Sequence, residues 1–193
     1  MRTGFKKYLL AAAAALLVLA LVVPLAGCGD QQKAQQIVRG ANPNVKKGNA
    51  EVEKLTAVWE KIRALPDNPN GYRQGVKLSK DGGASARAAK EEYQKALDAL
   101  AEAKKLDVSE EYGVYIAMKE KAFRARAQGL ELAAQRFDQM SKLYGAALNR
   151  NLSQWKLARA RIQALSTKIS GLPDSDKLDA EANSYAKKKG FGA

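Results

Sequence analysis

The sequence predicts an all-α fold, an elongated antiparallel three- or four-helix bundle with one long coiled-coil-like helix, on three observations. Apolar residues recur at steps of three and four through four long segments, and no window alternates convincingly at period two. Pro43, Pro66, Pro69 and Pro173, the prolines beyond residue 28, all fall at segment boundaries, where a ring without an N–H opens or ends a helix. Ile116, Phe123, Leu130, Phe137 and Tyr144 recur every seven residues, the spacing that lays one apolar stripe against partner helices.

Residues 28–44 are polar, with Gln31, Gln32, Gln35, Gln36, Gly40 and an Asn42-Pro43-Asn44 turn signal. They read as a tether whose first part is open to helix, the alternative being that Ile37 and Val38 already dock on the body. A first long helix over 45–64 carries Val52, Leu55, Trp59 and Ile62, with Asn42 or Asn44 as its cap and Pro66 as its stop. Pro66, Pro69, Gly71, Gly75, Gly82 and Gly83 predict a loop over 65–84. Ser85 then caps a second helix to about residue 106, whose face reads Ala89, Tyr93, Ala96, Leu97, Leu100 and Ala103.

The third helix spans 110–148, about 60 Å if unbroken, and opens on Asp107, which has capping-box spacing to Glu110, or on Ser109. Lys119 and Arg126 interrupt its stripe. Ala122, Ala125 and Gly129 make a small-residue strip where another backbone packs closely, or Gly129 is a bend. After Asn149-Arg150-Asn151 a fourth helix runs to about residue 170 on Leu152, Trp155, Ala158, Ile162, Leu165 and Ile169, and Gly171 and Pro173 stop it. A short fifth helix over 175–188 bears Leu178, Ala182 and Tyr185. Tyr93, Ala96, Leu97 and Leu100 suggest one helix of a tetratricopeptide repeat. The echo roughly 34 residues on is missing, because Ala127 and Glu131 stand where Tyr93 and Leu97 should recur.

Residues 1–27 stand apart from this pattern. Arg2, Lys6 and Lys7 precede fifteen uninterrupted apolar residues, 9–23, followed by Pro24 and small residues. A charged start, a short apolar run and a small-residue exit are the secretory signal pattern, and the run is shorter than the roughly 20 residues of a bilayer span. Leu25-Ala26-Gly27-Cys28 resembles the lipobox of bacterial prolipoproteins. That resemblance implies a diacylglycerol thioether on Cys28 and cleavage in front of it. The protein is then held by acyl chains on the outer face of the cytoplasmic membrane, or in an outer membrane if the host is diderm. It divides the chain into a signal peptide (1–27), a lipidated N-terminus and tether (28–44) and a helical bundle (45–193).

Composition narrows the chemistry. The chain has no His and one Cys, which removes Ser-His-Asp and Cys-His constellations, His-ligated zinc and any internal disulfide framework. The carboxylate pairs Glu51 with Glu53, Glu91 with Glu92 and Glu110 with Glu111 point to different sides of a helix. The 67–71 turn lacks the ligand spacing of a calcium loop, and Gly82-Gly83 lacks a phosphate-loop signature. No catalytic residue, metal ligand or cofactor is predicted, and the chain reads as non-enzymatic.

Charge is the uneven feature. The formal net charge is +13; between residues 112 and 170 there are 11 basic and 3 acidic side chains, against 15 and 13 between 29 and 111. Arg124, Arg126, Arg136, Lys142, Arg150, Lys156, Arg159, Arg161 and Lys168 are the candidate binding residues, lying along a helical hairpin. Anionic lipid headgroups or a wall polymer are suitable partners, and so is an envelope protein; export makes nucleic acid a poorer one. In architecture the body resembles the small helical-bundle lipoproteins of bacterial envelopes, cell-wall-binding ones included, which transfers no site. The expected function is non-catalytic binding or scaffolding by a lipid-anchored envelope protein. The alternative is a carrier of a small apolar ligand in an inter-helix cavity lined by Trp59, Trp155, Phe123 and Phe137.

Overall fold

The computed structural model describes residues 29–191, and the regular elements among them are all helices. They are α1 (29–40), α2 (Asn42–Arg63), α3 (Pro69–Ala103), α4 (Glu110–Leu148), α5 (Leu152–Ser170) and α6 (Ser175–Lys189). Stacked end to end, α1 with α2 and α5 with α6 make two broken columns, and α3 and α4 are unbroken ones. The Gln31 side chain meets the backbone N–H of Ser109, and Trp59 lies on Phe137, so the first column advances in the same direction as α4. In the last column α5 lies beside the C-terminal half of α4, while Asp179 of α6 pairs with Lys119 and Lys189 with Glu111. The result is an up-down-up-down bundle.

α4 has 39 residues, about 58 Å of helix, and sets the length of the molecule. Ile116, Phe123, Leu130 and Phe137 of its seven-residue series are buried, and Tyr144 is half-buried. Ser109 caps it, its hydroxyl accepting from the Tyr112 N–H at 3.3 Å, and Glu110 and Glu111 in the first turn complement the helix dipole. Asp107 is not the cap.

The predicted 65–84 loop is a correction: only 64–68 are non-helical. Asn68 caps α3, its side chain accepting from the Gly71 N–H at 2.9 Å, with Pro69 in the first turn. Gly71, Gly75, Gly82 and Gly83 therefore sit inside a 35-residue helix. The reason is packing: a Cβ on Gly75 would lie 2.6 Å from the Tyr144 ring and one on Gly82 2.6 Å from the Phe137 ring. Gly75, Ser79, Gly82 and Ala86 repeat at steps of three and four, forming a groove on α3 into which the α4 rings fit, while Gly71 leaves room for the Pro66 carbonyl. The rings' burial outweighs a helix-propensity cost of about 1 kcal/mol per glycine.

The 28–44 segment departs from a tether as well, since its described residues are helical almost throughout. Ala34, Val38 and Ala41 are buried in the core with Tyr112 and Tyr115. Asp30 and Gln31 accept hydrogen bonds from the backbone N–H groups of Asp107 and Ser109 at 3.4 and 2.9 Å. The missing N–H of Pro43 explains the break between α1 and α2; neither Asn42 nor Asn44 caps α2 with its side chain.

At the other end of the chain, Asp174 caps α6 by accepting from the Asp176 and Lys177 N–H groups at 3.0 and 3.1 Å. Gly190, with φ at 73°, ends it in the left-handed region, and Phe191 then packs edge-on to Tyr112. Leu152, expected on the core face of α5, is 62% exposed, and Ala158 is the fully buried residue of that helix. Trp155, Ile162, Leu165 and Ile169 are half-buried, because α4 is the principal partner of α5. Of the small-residue strip, Ala122 and Ala125 are buried, but a Cβ on Gly129 would meet just the Leu172 methyl at 3.6 Å, an ordinary contact. Gly129→Ala is therefore expected to stabilise the protein by about 1 kcal/mol and to raise the melting temperature by about 2–4 °C, read by thermal unfolding.

Candidate functional site

The basic hairpin divides in three dimensions. Arg124 is bound by Glu120 one turn earlier, at 2.9 and 2.6 Å, and Glu120 also takes Lys104 at 2.8 Å. These contacts hold the Glu120 carboxyl below its ordinary range, with the Lys104 hydrogen bond the largest cause and Arg124 next. Arg126 pairs with Asp176 of α6 and lies over the Tyr93 ring, and Lys119 pairs with Asp179 at 2.7 Å. The acidic first half of α6 thus offsets the basic residues of the N-terminal half of α4.

Arg136 is a different case. Its guanidinium lies 4.3 Å from the Trp59 ring centre, its Nε has no hydrogen-bond partner, and burial followed by the nearby Arg63 pushes its pKa down. Trp59 in turn meets Phe137 edge-on at 5.8 Å. Arg136 works as a packed, half-buried cation–π residue between α2 and α4.

What remains is α5 with the end of α4. Between Leu152 and Ser170 there are four basic side chains, Lys156, Arg159, Arg161 and Lys168, and no acidic one. All four are exposed and none has an ion pair among the described residues. The three carboxylates of the 112–170 stretch are already engaged: Glu120 as above, Glu131 by Lys90 at 2.6 Å, and Asp138 by both terminal nitrogens of Arg87 at 3.1 and 3.2 Å. Each sits on α4 and is paired toward α3 or the α3–α4 turn, and the one that also borders α5, Asp138, is already shared with Arg87.

Two clefts border this helix. One, of about 380 Å³ between α4 and α5, is lined by Lys142, Arg161 and Lys168 together with Gln135, Gln139 and Asp138. The other, of about 290 Å³ at the tip where α4 turns into α5, is lined by Tyr72, Arg150, Leu152 and Trp155. Arg150 holds φ at 51°, the left-handed residue that closes α4, with the Asn151 N–H bonded back to the Ala146 carbonyl at 2.9 Å, and the Asn151 side chain then caps α5 by accepting from the Gln154 N–H at 3.0 Å. Arg159 lies 5.2 Å from the centre of the Trp155 ring. Phe123 and Phe137 are core residues and Trp59 is packed under Arg136, so among the four candidate carrier aromatics Trp155 is the one that borders these clefts.

The i,i+4 spacing of Glu120 and Arg124 on one helix is the signal in the sequence that marks Arg124 as paired. The Arg126–Asp176 and Lys119–Asp179 pairs, 50 and 60 residues apart, depend on the return of the last column. Where titration is shifted, carboxylates move down and tyrosines up; burial, then the neighbouring Tyr115, pushes Tyr112 up to about 12. Among the described residues no three Asp, Glu, Cys or His side chains gather as a metal set, and no helix is long and apolar enough to cross a membrane. Cys28 and the expected signal peptide lie outside the described residues. Comparison of the chain with family models, curated proteins and solved structures finds no match.

Proposed function

We propose that this protein is a lipid-anchored component of the bacterial cell envelope that binds an anionic partner without catalysing a reaction. The observation that carries the anchoring is the Leu25-Ala26-Gly27-Cys28 sequence at the end of a fifteen-residue apolar run. The four exposed cations of α5, a helix without an acidic residue, support binding to an anionic partner. The carrier alternative draws on the cleft beside Trp155 alone, since Phe123 and Phe137 fill the core.

Anchoring is tested by Cys28→Ala. The substitution is expected to leave the precursor uncut and unlabelled when cells are fed a radiolabelled fatty acid, while the unsubstituted protein loses 27 residues and takes up label. Unchanged labelling and unchanged mass in the variant would sink the lipoprotein reading.

A further inference from the structure

We infer that the cationic cleft between α4 and α5 binds a soluble, phosphate-bearing polyanion, held well away from the membrane that carries the anchor. The inference deepens the function proposed above and rests on it for orientation, although the binding itself does not depend on the anchor.

The geometry fixes two opposite ends. α1 is helical from residue 29, and Asp30 and Gln31 accept from the Asp107 and Ser109 N–H groups, so the described chain, whose next residue toward the N-terminus is Cys28, begins at the α3–α4 turn. The cleft spans Gln135 to Lys142 of α4, which is roughly 40–50 Å along that helix from Ser109. Screening in physiological salt has a length of about 8 Å. With the bundle standing on its anchored end, headgroup charge is not felt at the cleft.

The chemistry of the cleft selects the class of ligand. Lys142, Arg161 and Lys168 converge on it from two helices, with no ion pair among the described residues. The one carboxylate on its rim, Asp138, is held by both terminal nitrogens of Arg87 and turned toward α3. Lys156 and Arg159 lie outside the cleft, since at about 3.6 residues per turn they fall on a different face of α5 from Arg161 and Lys168. Arg161 and Lys168 are seven residues apart, about 10 Å along α5, and with Lys142 on α4 they space three cations along an open cleft, which suits a chain of repeating phosphates better than a single small anion. The cleft is open along one side and lacks the enclosure that a small-molecule site needs.

The test uses the full-length, processed protein in vesicles of neutral phosphatidylcholine or of phosphatidylcholine with phosphatidylglycerol, with fluorescent inorganic polyphosphate as the probe. Polyphosphate is expected to bind on both vesicle types at 50 mM salt, weakening on the order of tenfold by 200 mM. The triple variant Lys142→Glu, Arg161→Glu, Lys168→Glu should lose at least about 100-fold in affinity. The control Lys46→Glu, Lys47→Glu, Lys187→Glu, three exposed lysines elsewhere on the surface, should lose less than about tenfold. Equal losses in the two triples would show bulk charge at work and overturn the site. Absence of polyphosphate binding at 50 mM salt would overturn it outright. With Trp59→Phe leaving Trp155 as sole tryptophan, strong quenching by headgroup-labelled lipid would place α5 on its own membrane and overturn the polymer in favour of headgroups. If the protein fails to float with vesicles yet binds polyphosphate through the cleft residues, the anchor fails and the cleft stands.

Discussion

Phe137→Ala is expected to destabilise the protein by about 3–5 kcal/mol, read as a fall in the urea midpoint and in the melting temperature. The ring is 4% exposed, meets Trp59 edge-on at 5.8 Å and fills the notch left by Gly82. Removing it leaves a cavity at the junction of α2, α3 and α4, which a 35-residue helix cannot close by local relaxation. A second substitution makes the mechanism specific. With Phe137 present, Gly82→Ala puts a methyl 2.6 Å from the ring, an overpacking expected to cost about 1–3 kcal/mol against a propensity gain of about 1. With Phe137→Ala already made, the clash is gone and Gly82→Ala should stabilise. A Gly82→Ala effect of the same sign in both backgrounds would mean that the ring does not seat on this glycine.

Phe123→Ala is expected to cost a similar 3–5 kcal/mol, in the other half of the molecule. Phe123 is buried beneath α2 and α3, edge-on to Tyr93 at 5.6 Å, and belongs to the core that includes Ala34 and Val38 of α1 and Ala182 and Ala186 of α6. Phe137 belongs to a second, smaller core with Ile62 and Met140, against which Ile162 of α5 packs. The two losses should therefore read out differently by hydrogen exchange. Phe123→Ala should accelerate exchange in α1 and α6, and Phe137→Ala in α5 and the start of α3. Identical exchange patterns from both variants would show that the two cores open as one unit.

Arg124 and Glu120 lie four residues apart on one helix, so their pairing is written in local spacing. Asp176 and Asp179 reach Arg126 and Lys119 because the chain doubles back along α4, a path that charge counting cannot trace. Nine candidate cations along a hairpin thus became a smaller exposed set on α5 and the end of α4, with Arg124 and Arg126 neutralised and Arg136 drawn under Trp59.

The sequence by itself determined the all-helical class, the 110–148 extent and heptad stripe of α4, and the boundaries around Pro66 and Pro173. Each of these follows from interactions between residues close in the chain: side chains stacked on one helix face, a proline lacking its N–H, a serine or aspartate capping the next turn. Only the tertiary structure decided that Gly71, Gly75, Gly82 and Gly83 are helical and that residues 29–40 dock as α1. Intrinsic propensity counts glycine against a helix by about 1 kcal/mol, and a polar run has little of its own to bury. Rings from α4, Phe137 against Gly82 at 55 residues' separation and Tyr144 against Gly75 at 69, supply the apolar contact that reverses the first preference. Tyr112 and Tyr115 supply the surface that captures the second, and burial against a distant partner is the one contribution that no local pattern encodes.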